Sequence, residues 1–383
     1  MRIVHIAPNS PYNEGWGYQE NLLTKYQVKC GNEVTLIIRN EKHSEKKIIK
    51  TEIENYISKD GFRVIRKESH GGIWRLNFLE KMDVYELLQE LKPDYIFFHG
   101  LINRAILDAT KYKKEINPNC IIVEDNHMDY NIGYQCKKIK EKIIRNYYRM
   151  INKKSIKYVS KVYGVTPWRK TYAEDYFGIP SNKTDVLIMG ADDEKMHLDK
   201  KEELREQVRK QYHISERDFL IVTGGKIDKK KKIDTLMEAC VNLPNVKLLV
   251  FGNVADDVRY KFEQLKENEN IIYIGWIDSD KVYEYFYAAD LVFFPGQHSV
   301  LWEQACASKV PCVFEKWEGM DHVNNGGNSD FISPVTIDTI KDKIEELKFT
   351  PIYYKMKEVA ESDKTDIYLY SKIAEKSLEC AIE

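Results

Sequence analysis

The chain alternates short apolar runs with longer segments in which apolar residues recur at helical spacing, and residues 291–314 show this pattern most clearly. The run Leu291–Phe294 stops at Pro295-Gly296, which predicts a buried parallel strand that ends in a turn. A helix capped by Ser299 and a second strand over residues 310–314 are predicted to follow. Strand, turn, helix and strand make a βαβ unit, whose ligand end lies at the carboxyl edge of the first strand.

The same alternation runs through both halves of the chain. Buried strands are predicted at 3–7, 34–38, 95–98, 120–123 and 162–165, and again at 219–223, 246–251 and 271–274. Helical segments separate them, and the spacing restarts after a linker at 178–192. The pattern therefore predicts an α/β protein with two doubly wound domains, residues 1–190 and residues 191–383.

Composition and charge exclude several classes of protein. The 383 residues carry 59 Lys+Arg against 60 Asp+Glu, a net charge of −1, so the chain lacks a global nucleic-acid signature. The 7 cysteines form no CxxC pair, which favours reduced thiols in a cytosolic protein. The start MRIVHIAP indicates a strand and not a signal peptide. No run approaches 18 apolar residues, so no spanning helix is expected.

Two candidates for chemistry lie in the second half. The segment GGKIDKKKK, residues 224–232, lies between a strand and a helix, where glycines allow close approach to a phosphate and lysines offset its charge. The alternative interpretation is a solvated lysine run on a surface loop. Glu303 falls in the first turns of the predicted helix, where its carboxylate can accept hydrogen bonds from a vicinal diol such as a ribose. The alternative is a glutamate placed to suit the helix dipole.

Further candidates follow the ends of other predicted strands. Asn253 and Trp276 come after the predicted strands 246–251 and 271–274, where a base or sugar could lie, although Trp276 fits a core position equally well. Asp278 and Asp280 have the DxD form of some metal sites, but they precede a helix and favour capping. His127 lies beside two aspartates and, like His99, is either a site residue or a satisfied loop histidine; no zinc spacing occurs.

Taken in order, these pieces resemble the retaining nucleotide-sugar glycosyltransferases of family 4, which have two Rossmann-like domains facing a cleft (the GT-B fold). GKIDKKKKIDTL is similar to the family segment that contacts the donor diphosphate, with Lys226 in the place of an arginine and Lys231 in the place of a lysine. AADLVFFPGQHSVLWEQACASKVPCVF is similar to the family segment that carries two glutamates. Glu303 matches the second, which holds the donor ribose. The first has no counterpart, because Gln297, His298 and Ser299 occupy a shortened loop.

The resemblance implies a set of site residues. Lys226, Lys231 and His127 are expected to act in catalysis, His127 near the transferring sugar. The expected donor-binding residues are Glu303, Ser299, His298, Gly225, Asn253 and Trp276. On the acceptor side, the glycine-rich first loop is matched by Gly15, Trp16 and Gly17, and His99 is expected beside it. No metal or other cofactor is expected, because family members use a front-face mechanism in which the leaving phosphate takes up the acceptor proton.

The resulting hypothesis is transfer of a sugar from a nucleotide diphosphate sugar to a glycan or lipid-linked acceptor hydroxyl with retention, in bacterial surface polysaccharide or glycoconjugate synthesis. A GT-B epimerase or phosphorylase and a non-catalytic binding protein are the alternatives. A cytoplasmic protein is expected. The stretch 137–161 is strongly basic and also has apolar residues at helical spacing, Ile139, Ile143, Tyr147 and Ile151. Three interpretations are open: a solvated helix face, a site for an acidic acceptor, or a peripheral contact with the inner face of the membrane.

Overall fold

The computed structural model describes residues 1–44, 47–70, 79–131 and 138–381. They form two compact units. Unit 1 consists of Met1–Ile188 together with the C-terminal segment from Ser371, and unit 2 consists of Met189–Tyr370.

Unit 1 is built from alternating strands and helices, as its apolar runs predict. Its elements before the linker are β1 (Arg2–Ala7), α1 (Gln19–Lys29), β2 (Glu33–Arg39), β3 (Glu41–Ser44), β4 (Lys47–Lys50), β5 (Asn55–Ile57), β6 (Arg63–Lys67), α2 (Tyr85–Leu91), β7 (Tyr95–His99), α3 (Ile106–Glu115), β8 (Ile121–Asn126), α4 (Ile139–Ser155), β9 (Lys161–Gly164), α5 (Pro167–Tyr172) and β10 (Thr184–Val186).

The described strands of unit 1 form a sheet of order β10-β9-β8-β7-β1-β2-β6-β5, with β3 and β4 as a separate antiparallel pair. All neighbours in the large sheet are parallel except β5 and β6. The core strands β1 and β7 are buried along almost their whole length, because helices cover both faces of a parallel sheet. Strand order reverses between β1 and β7, and such a switch point is where doubly wound sheets bind ligands.

Unit 2 repeats the architecture. Its elements are α6 (Asp193–Met196), α7 (Lys201–Gln211), β11 (Phe219–Gly224), α8 (Ile233–Cys240), β12 (Val246–Phe251), α9 (Arg259–Leu265), β13 (Ile271–Tyr273), α10 (Val282–Ala288), β14 (Leu291–Phe294), α11 (Leu301–Ala307), β15 (Cys312–Glu315), β16 (Ser329–Ile332), α12 (Ile337–Leu347) and α13 (Pro351–Glu361).

The described strands of unit 2 form an all-parallel sheet of order β13-β12-β11-β14-β15-β16. The switch point lies between β11 and β14. The loops after these two strands, residues 225–232 and 295–300, therefore meet at one edge of the sheet. The predicted fold class, α/β with two doubly wound Rossmann-like domains, is confirmed.

The C-terminal segment differs from the prediction, which assigned residues 191–383 to one domain. The last helix, α14 (Tyr370–Ser377), continues into unit 1 from Ser371 onward. Tyr95 of β7 donates its hydroxyl to the Ser377 carbonyl (2.5 Å), and Gln27 of α1 donates to Ser377 Oγ (2.9 Å). These buried hydrogen bonds tie the chain end to the first domain, and nothing local in its sequence signals that pairing.

The basic helix α4 presents a different apolar side from the predicted one. Ile144, Tyr148 and Ile151 are buried in the core of unit 1. Ile139 and Ile143, which recur at helical spacing with Ile151, are exposed. Lys137, the first residue of the predicted basic stretch, lies outside the described residues. Among the described helices, none combines the length and the apolar character needed to cross a bilayer.

Candidate functional site

The switch point of unit 2 brings the lysine run against the loop after β14. A Cβ added at Gly296 would lie 2.4 Å from the Lys230 carbonyl oxygen, so only glycine permits this approach. Gln297 N donates to the Lys230 carbonyl (2.9 Å) at the same place. Two loops 66 residues apart in sequence therefore form one continuous surface at the ligand edge of the sheet.

Lys231 is the cation that joins the two loops. Its Nζ donates to the carbonyls of Gln297 (2.5 Å) and His298 (3.3 Å). Burial lowers its pKa to about 8, and Asp228 acts in the opposite direction. A partly desolvated ammonium of this kind interacts more strongly with an anion than a solvated one does. Of the run's lysines, Lys231 is therefore the best placed to stabilise charge on a phosphate.

Lys226 occupies a different environment. Its side chain is 72% exposed, and its Nζ lies 3.3 Å from Asp228 Oδ2. Gly225, just before it, has a φ of +104°, a conformation that favours glycine. Lys226 is thus a solvated point charge beside the turn and makes no contact with the loop after β14 comparable to that of Lys231.

Glu303 lies at the centre of a buried group that also contains His298 and His322, here called the Glu303 cluster. The Nε2 atoms of both histidines lie 2.8 Å from Glu303 Oε1. The glutamate is fully buried. Burial alone would raise its pKa, but the two histidines hold that pKa well below its usual range. Glu303 is therefore an ionised carboxylate, and both imidazoles donate to its Oε1.

The cluster is incomplete in its hydrogen bonding. Glu303 Oε2 and His322 Nδ1 are both buried and have no partner among the described residues. Three ligand-type atoms lie close enough to suggest a metal. However, a histidine that binds a metal through Nε2 must protonate Nδ1 and normally donates that proton to a partner, and the described residues offer His322 none. The Nε2–H tautomer fits better, and the open position of the cluster is the acceptor Oε2.

The other predicted donor-side residues have mixed outcomes. Ser299 was predicted to cap α11, but the N-cap is Val300 and no side chain caps this helix; the Ser299 carbonyl accepts instead from Trp302 N (2.9 Å). Asn253 has an exposed side chain, while its carbonyl accepts from Ile227 N (2.9 Å) and so steadies the lysine run. Trp276 is 67% exposed, so its core interpretation is wrong.

The DxD motif is neither a helix cap nor a vacant pair of carboxylates. Asp278 precedes a short 3-10 turn without capping it through its side chain. Asp280 Oδ1 lies 2.6 Å from Lys195 Nζ. The capping prediction for these two residues is therefore wrong, because Asp278 makes no side-chain cap and Asp280 lies inside the turn, where it pairs with Lys195.

In unit 1, the predicted glycine-rich loop follows β1. Gly15 has a φ of +80°, and Trp16 stacks on His43 with ring centroids 5.1 Å apart. Asn13 fixes the loop by a pair of hydrogen bonds to the backbone of His43 (2.7 and 2.9 Å). Gly17 is exposed. The loop thus presents an exposed glycine and a half-exposed aromatic ring at the ligand edge of the first sheet.

A chain of polar side chains, buried except at His127, lies beside this edge. It consists of Gln27, His5, His99, Asp125 and His127 and is here called the Asp125 network. His5 Nε2 lies 2.6 Å from Gln27 Oε1, and His5 Nδ1 lies 3.0 Å from His99 Nε2. His99 Nδ1 lies 2.7 Å from Asp125 Oδ2, and His127 Nε2 lies 3.4 Å from the same oxygen. Gly100 N donates to the other oxygen, Oδ1 (2.9 Å).

The protonation states in this network are strongly shifted. Burial and the neighbouring His99 lower the pKa of His5 to about 3. Burial alone would lower the pKa of His99, but Asp125 raises it above its ordinary value. Burial would raise the pKa of Asp125, yet His99 and His127 hold it well below the usual range. A neutral His5 therefore adjoins a charged pair of His99 and Asp125.

His99 was predicted to contact the acceptor, and the structure corrects this. The side chain is buried and both of its ring nitrogens are committed, so a ligand cannot contact it. His127, in contrast, has a side chain that is 41% exposed.

The sequence analysis did not identify His5, Gln27, Asp125 and His322 as members of these groups. A histidine inside the apolar run IVHIA was the available signal for His5, and a histidine after the β15 strand was the signal for His322.

The comparisons with known proteins bear on unit 2 first. Residues 204–361 match the sequence model of the family Glycosyl transferases group 1. The matched segment lies entirely within unit 2 and covers less than half of the chain. Lys226, Lys231 and the whole Glu303 cluster lie within the matched segment.

Two curated relatives cover larger parts of the chain. An uncharacterized 41.2 kDa protein in the cps region of Klebsiella pneumoniae is 26% identical over 225 residues, 56% of this chain and 57% of the relative. The processive diacylglycerol alpha-glucosyltransferase of Acholeplasma laidlawii is 25% identical over 182 residues, 44% of this chain and 53% of the relative. The chain thus spans about half the length of these relatives.

Solved structures extend the comparison to the whole chain. A glycosyltransferase from Rickettsia africae has a TM-score of 0.70 at 16% identity and covers 99% of this chain and 97% of its own. HepE from Anabaena in complex with UDP has a TM-score of 0.67 at 14% identity, with 100% of both chains covered. At these identities the likeness establishes the fold, parallel-sheet Rossmann-like domains as in the GT-B glycosyltransferases.

Proposed function

We propose that this protein is a glycosyltransferase that moves a sugar from a nucleotide diphosphate sugar to an acceptor hydroxyl with retention, in the synthesis of a surface glycoconjugate. The observation that carries the proposal is the group 1 match over residues 204–361, which encloses a desolvated lysine and a buried carboxylate at the switch point of unit 2. The names of two relatives, the cps-region protein and the diacylglycerol glucosyltransferase, support the surface glycoconjugate.

In the proposed reaction, unit 2 holds the donor. Lys231 stabilises the negative charge that gathers on the diphosphate as the bond to the sugar breaks, and Lys226 adds a second, more solvated charge. Glu303 accepts from the donor ribose through Oε2, the oxygen that the two histidines leave open. Because Glu303 is fully buried, His298, the more exposed of its two partners, must shift to admit the ribose. Gly225, Asn253 and Trp276 line the same edge of the sheet.

Unit 1 would supply the acceptor side through the loop of Gly15, Trp16 and Gly17 and through His127. We propose transfer without a metal, with the leaving phosphate taking up the acceptor proton. The pairing of Asp280 with Lys195 supports this, because the DxD motif then has one carboxylate already neutralised.

The test is a panel of nucleotide sugars, led by UDP-glucose, UDP-galactose and UDP-N-acetylglucosamine, assayed for transfer and for donor hydrolysis with diacylglycerol and glycan acceptors. Lys231→Ala should lower turnover by about 10²–10³, the scale of losing one preorganised charge stabiliser. Lys229→Ala is the matched control, since this neighbouring lysine is exposed and lies in the same run.

The outcomes separate the alternatives. Near-normal turnover in a folded Lys231→Ala protein would refute the role of that lysine. Conversion of the donor's sugar without any acceptor would favour an epimerase, and binding without hydrolysis or transfer would favour a non-catalytic binding protein. Loss of activity in EDTA that manganese restores would contradict the metal-free mechanism.

Membrane contact through α4 belongs to the same proposal. Ile139 (79% exposed), Ile143 (57%) and Met150 (46%) leave apolar side chains on the outer side of a helix that also exposes Lys142 and Arg149. This combination suits an anionic bilayer surface, where each basic residue contributes about 1 kcal/mol. Tyr148 and Ile151 are buried and take no part.

Vesicle co-sedimentation tests this contact. The protein should sediment with phosphatidylglycerol vesicles at low salt and be released at high salt, and replacing Ile139 and Ile143 together by serine should abolish sedimentation. Protein that stays in the supernatant at low salt would refute the membrane contact and leave α4 as a solvated or acceptor-binding face.

A further inference from the structure

The Asp125 network can be assigned proton by proton, beginning at its buried end. Ser377 Oγ donates its only proton to the Ala374 carbonyl (2.7 Å). Ser377 must therefore accept from Gln27, whose Nε2 lies 2.9 Å away. This fixes the orientation of the Gln27 amide, with its oxygen toward His5.

The assignment then passes through His5 to His99. His5 Nε2 must donate to Gln27 Oε1 (2.6 Å). Since His5 is fully buried and its second nitrogen faces another imidazole, a neutral ring is strongly favoured, and Nδ1 is then an acceptor. His99 Nε2 must donate to it (3.0 Å).

His99 carries a second proton. Its Nδ1 lies 2.7 Å from Asp125 Oδ2, and an ionised carboxylate only accepts. Both nitrogens of His99 are therefore donors, which makes the ring an imidazolium. The titratable groups that act on it are His5 on β1, Glu20 on α1 and Asp125 on β8, and the raised pKa of His99 agrees with this assignment.

The network ends at His127. Its Nε2 lies 3.4 Å from Asp125 Oδ2 and donates to it, while Gly100 N occupies Oδ1. In the neutral ring the proton then resides on Nε2, and Nδ1 is an acceptor without a partner among the described residues. The charge of Asp125 is already balanced by His99, so the hydrogen bond from His127 serves to orient its ring.

We infer that His99 is a positioning residue: as a buried imidazolium it neutralises Asp125, and the pair fixes His127 as the Nε2–H tautomer with Nδ1 open to accept from a hydroxyl group of the ligand. The hydroxyl-bearing ligand rests on the proposed function, whereas the protonation pattern does not. His99 thus acts through His127 and never contacts the ligand. The three ligand-type atoms of His99, Asp125 and His127 hold no open metal position, because both nitrogens of His99 are protonated.

The test is long-range ¹H–¹⁵N correlation NMR of the full chain with ¹⁵N-labelled histidine, recorded from pH 5 to pH 9 without substrate. Spectra of His99→Gln and His127→Gln proteins assign the two rings. His99 should keep two protonated nitrogens at pH values where an ordinary imidazole has lost one, because Asp125 raises its pKa. The neutral ring of His127 should be the Nε2–H tautomer. A His99 ring with a single proton at pH 7 would overturn the inference.

The His99→Gln protein gives a second, independent reading. Once the buried cation is lost, the charge of Asp125 acts on His127 alone, and the ¹⁵N signals of His127 should move away from those of a pure Nε2–H tautomer recorded at the same pH. Unchanged His127 signals in a folded variant would overturn the positioning role. If His99→Gln does not fold, the wild-type spectra alone decide. Absence of transfer in the donor panel would count against the proposed function, while the NMR result decides the present inference separately.

Discussion

The two carboxylate–histidine groups are chemically similar and differ in completeness. In unit 1, both oxygens of Asp125 accept hydrogen bonds, from His99, His127 and Gly100. In unit 2, Glu303 receives both of its histidines on Oε1, and Oε2 is buried without a partner among the described residues. A satisfied buried network stabilises and rigidifies the fold, whereas an orphaned acceptor costs free energy until a ligand donates to it. The carboxylate of the first group thus supports its neighbours, whereas the carboxylate of the second is available to bind.

The largest expected effect of this difference is on the free energy of unfolding. Asp125→Asn should lower the free energy of unfolding by about 3–5 kcal/mol, because it leaves the charge of His99 buried without its partner. Glu303→Gln should cost about 1–2 kcal/mol, since its amide oxygen still accepts from a histidine and the lost Oε2 had no donor. Urea unfolding of both variants beside the wild type measures this. Equal costs would show that the two groups are equally structural.

Sequence patterns predicted the sheets of both units because parallel strands are continuous apolar runs and their ends are marked by turns. They also placed Lys231, His298 and Glu303 at one edge, since loops after neighbouring strands must meet there. The pairing of α14 with unit 1 and the Gln27 to His99 contacts depend on residues up to 350 positions apart, which no local pattern encodes. Sequence likewise gave no sign that His99 and Glu303 are buried, because residue type does not fix exposure.

The pH dependence of stability gives the second contrast. His5 has an ordinary pKa of 6.5 and a folded pKa of about 3, so the unfolded chain binds a proton in this window that the folded chain does not. Stability therefore falls as the pH drops from 6.5 toward 3, by up to about 1.4 kcal/mol per pH unit.

His99 behaves in the opposite way. Its pKa is raised in the folded state, so its contribution to stability is fully present below pH 6.5 and is lost as the pH rises through the folded pKa. Glu303, with a depressed pKa, loses its contribution only as the pH falls below 4.5.

The dependence of stability on pH above about pH 6 reports on His99 in the Asp125 network. Thermal unfolding midpoints between pH 6 and pH 8.5 should decline less steeply in His99→Gln than in the wild type. The difference between the two proteins is the relevant quantity, because Glu124, whose pKa burial raises to about 8, also weakens the folded state as the pH rises from 4.5 toward 8. Parallel declines would mean that His99 does not carry a proton in the folded state.

A smaller effect is expected on ligand binding. Glu303→Gln should weaken the binding of a free nucleoside diphosphate about tenfold, or about 1.4 kcal/mol, because the amide oxygen stays with the histidines and an NH₂ group, which cannot accept from the ribose, replaces the ionised Oε2. Calorimetry with UDP, ADP and GDP measures the affinity. Glu267→Gln, a change at an exposed carboxylate of the same unit, is the control. Unchanged affinity would make Glu303 a structural residue and remove the proposed contrast with Asp125.

The smallest effect is expected at the exposed end of the Asp125 network. His127 contributes its long hydrogen bond of 3.4 Å from a side chain that is 41% exposed, so water can replace it. His127→Gln should therefore change the free energy of unfolding by less than about 0.5 kcal/mol. His322→Gln, at the enclosed edge of the Glu303 cluster, should cost about 1–3 kcal/mol, because its imidazole is buried and donates to a charge. Urea unfolding of the two variants compares them directly. If His127→Gln lowers the free energy of unfolding as much as His322→Gln does, then His127 supports the fold. The role proposed for it in binding a ligand through Nδ1 would lose its support.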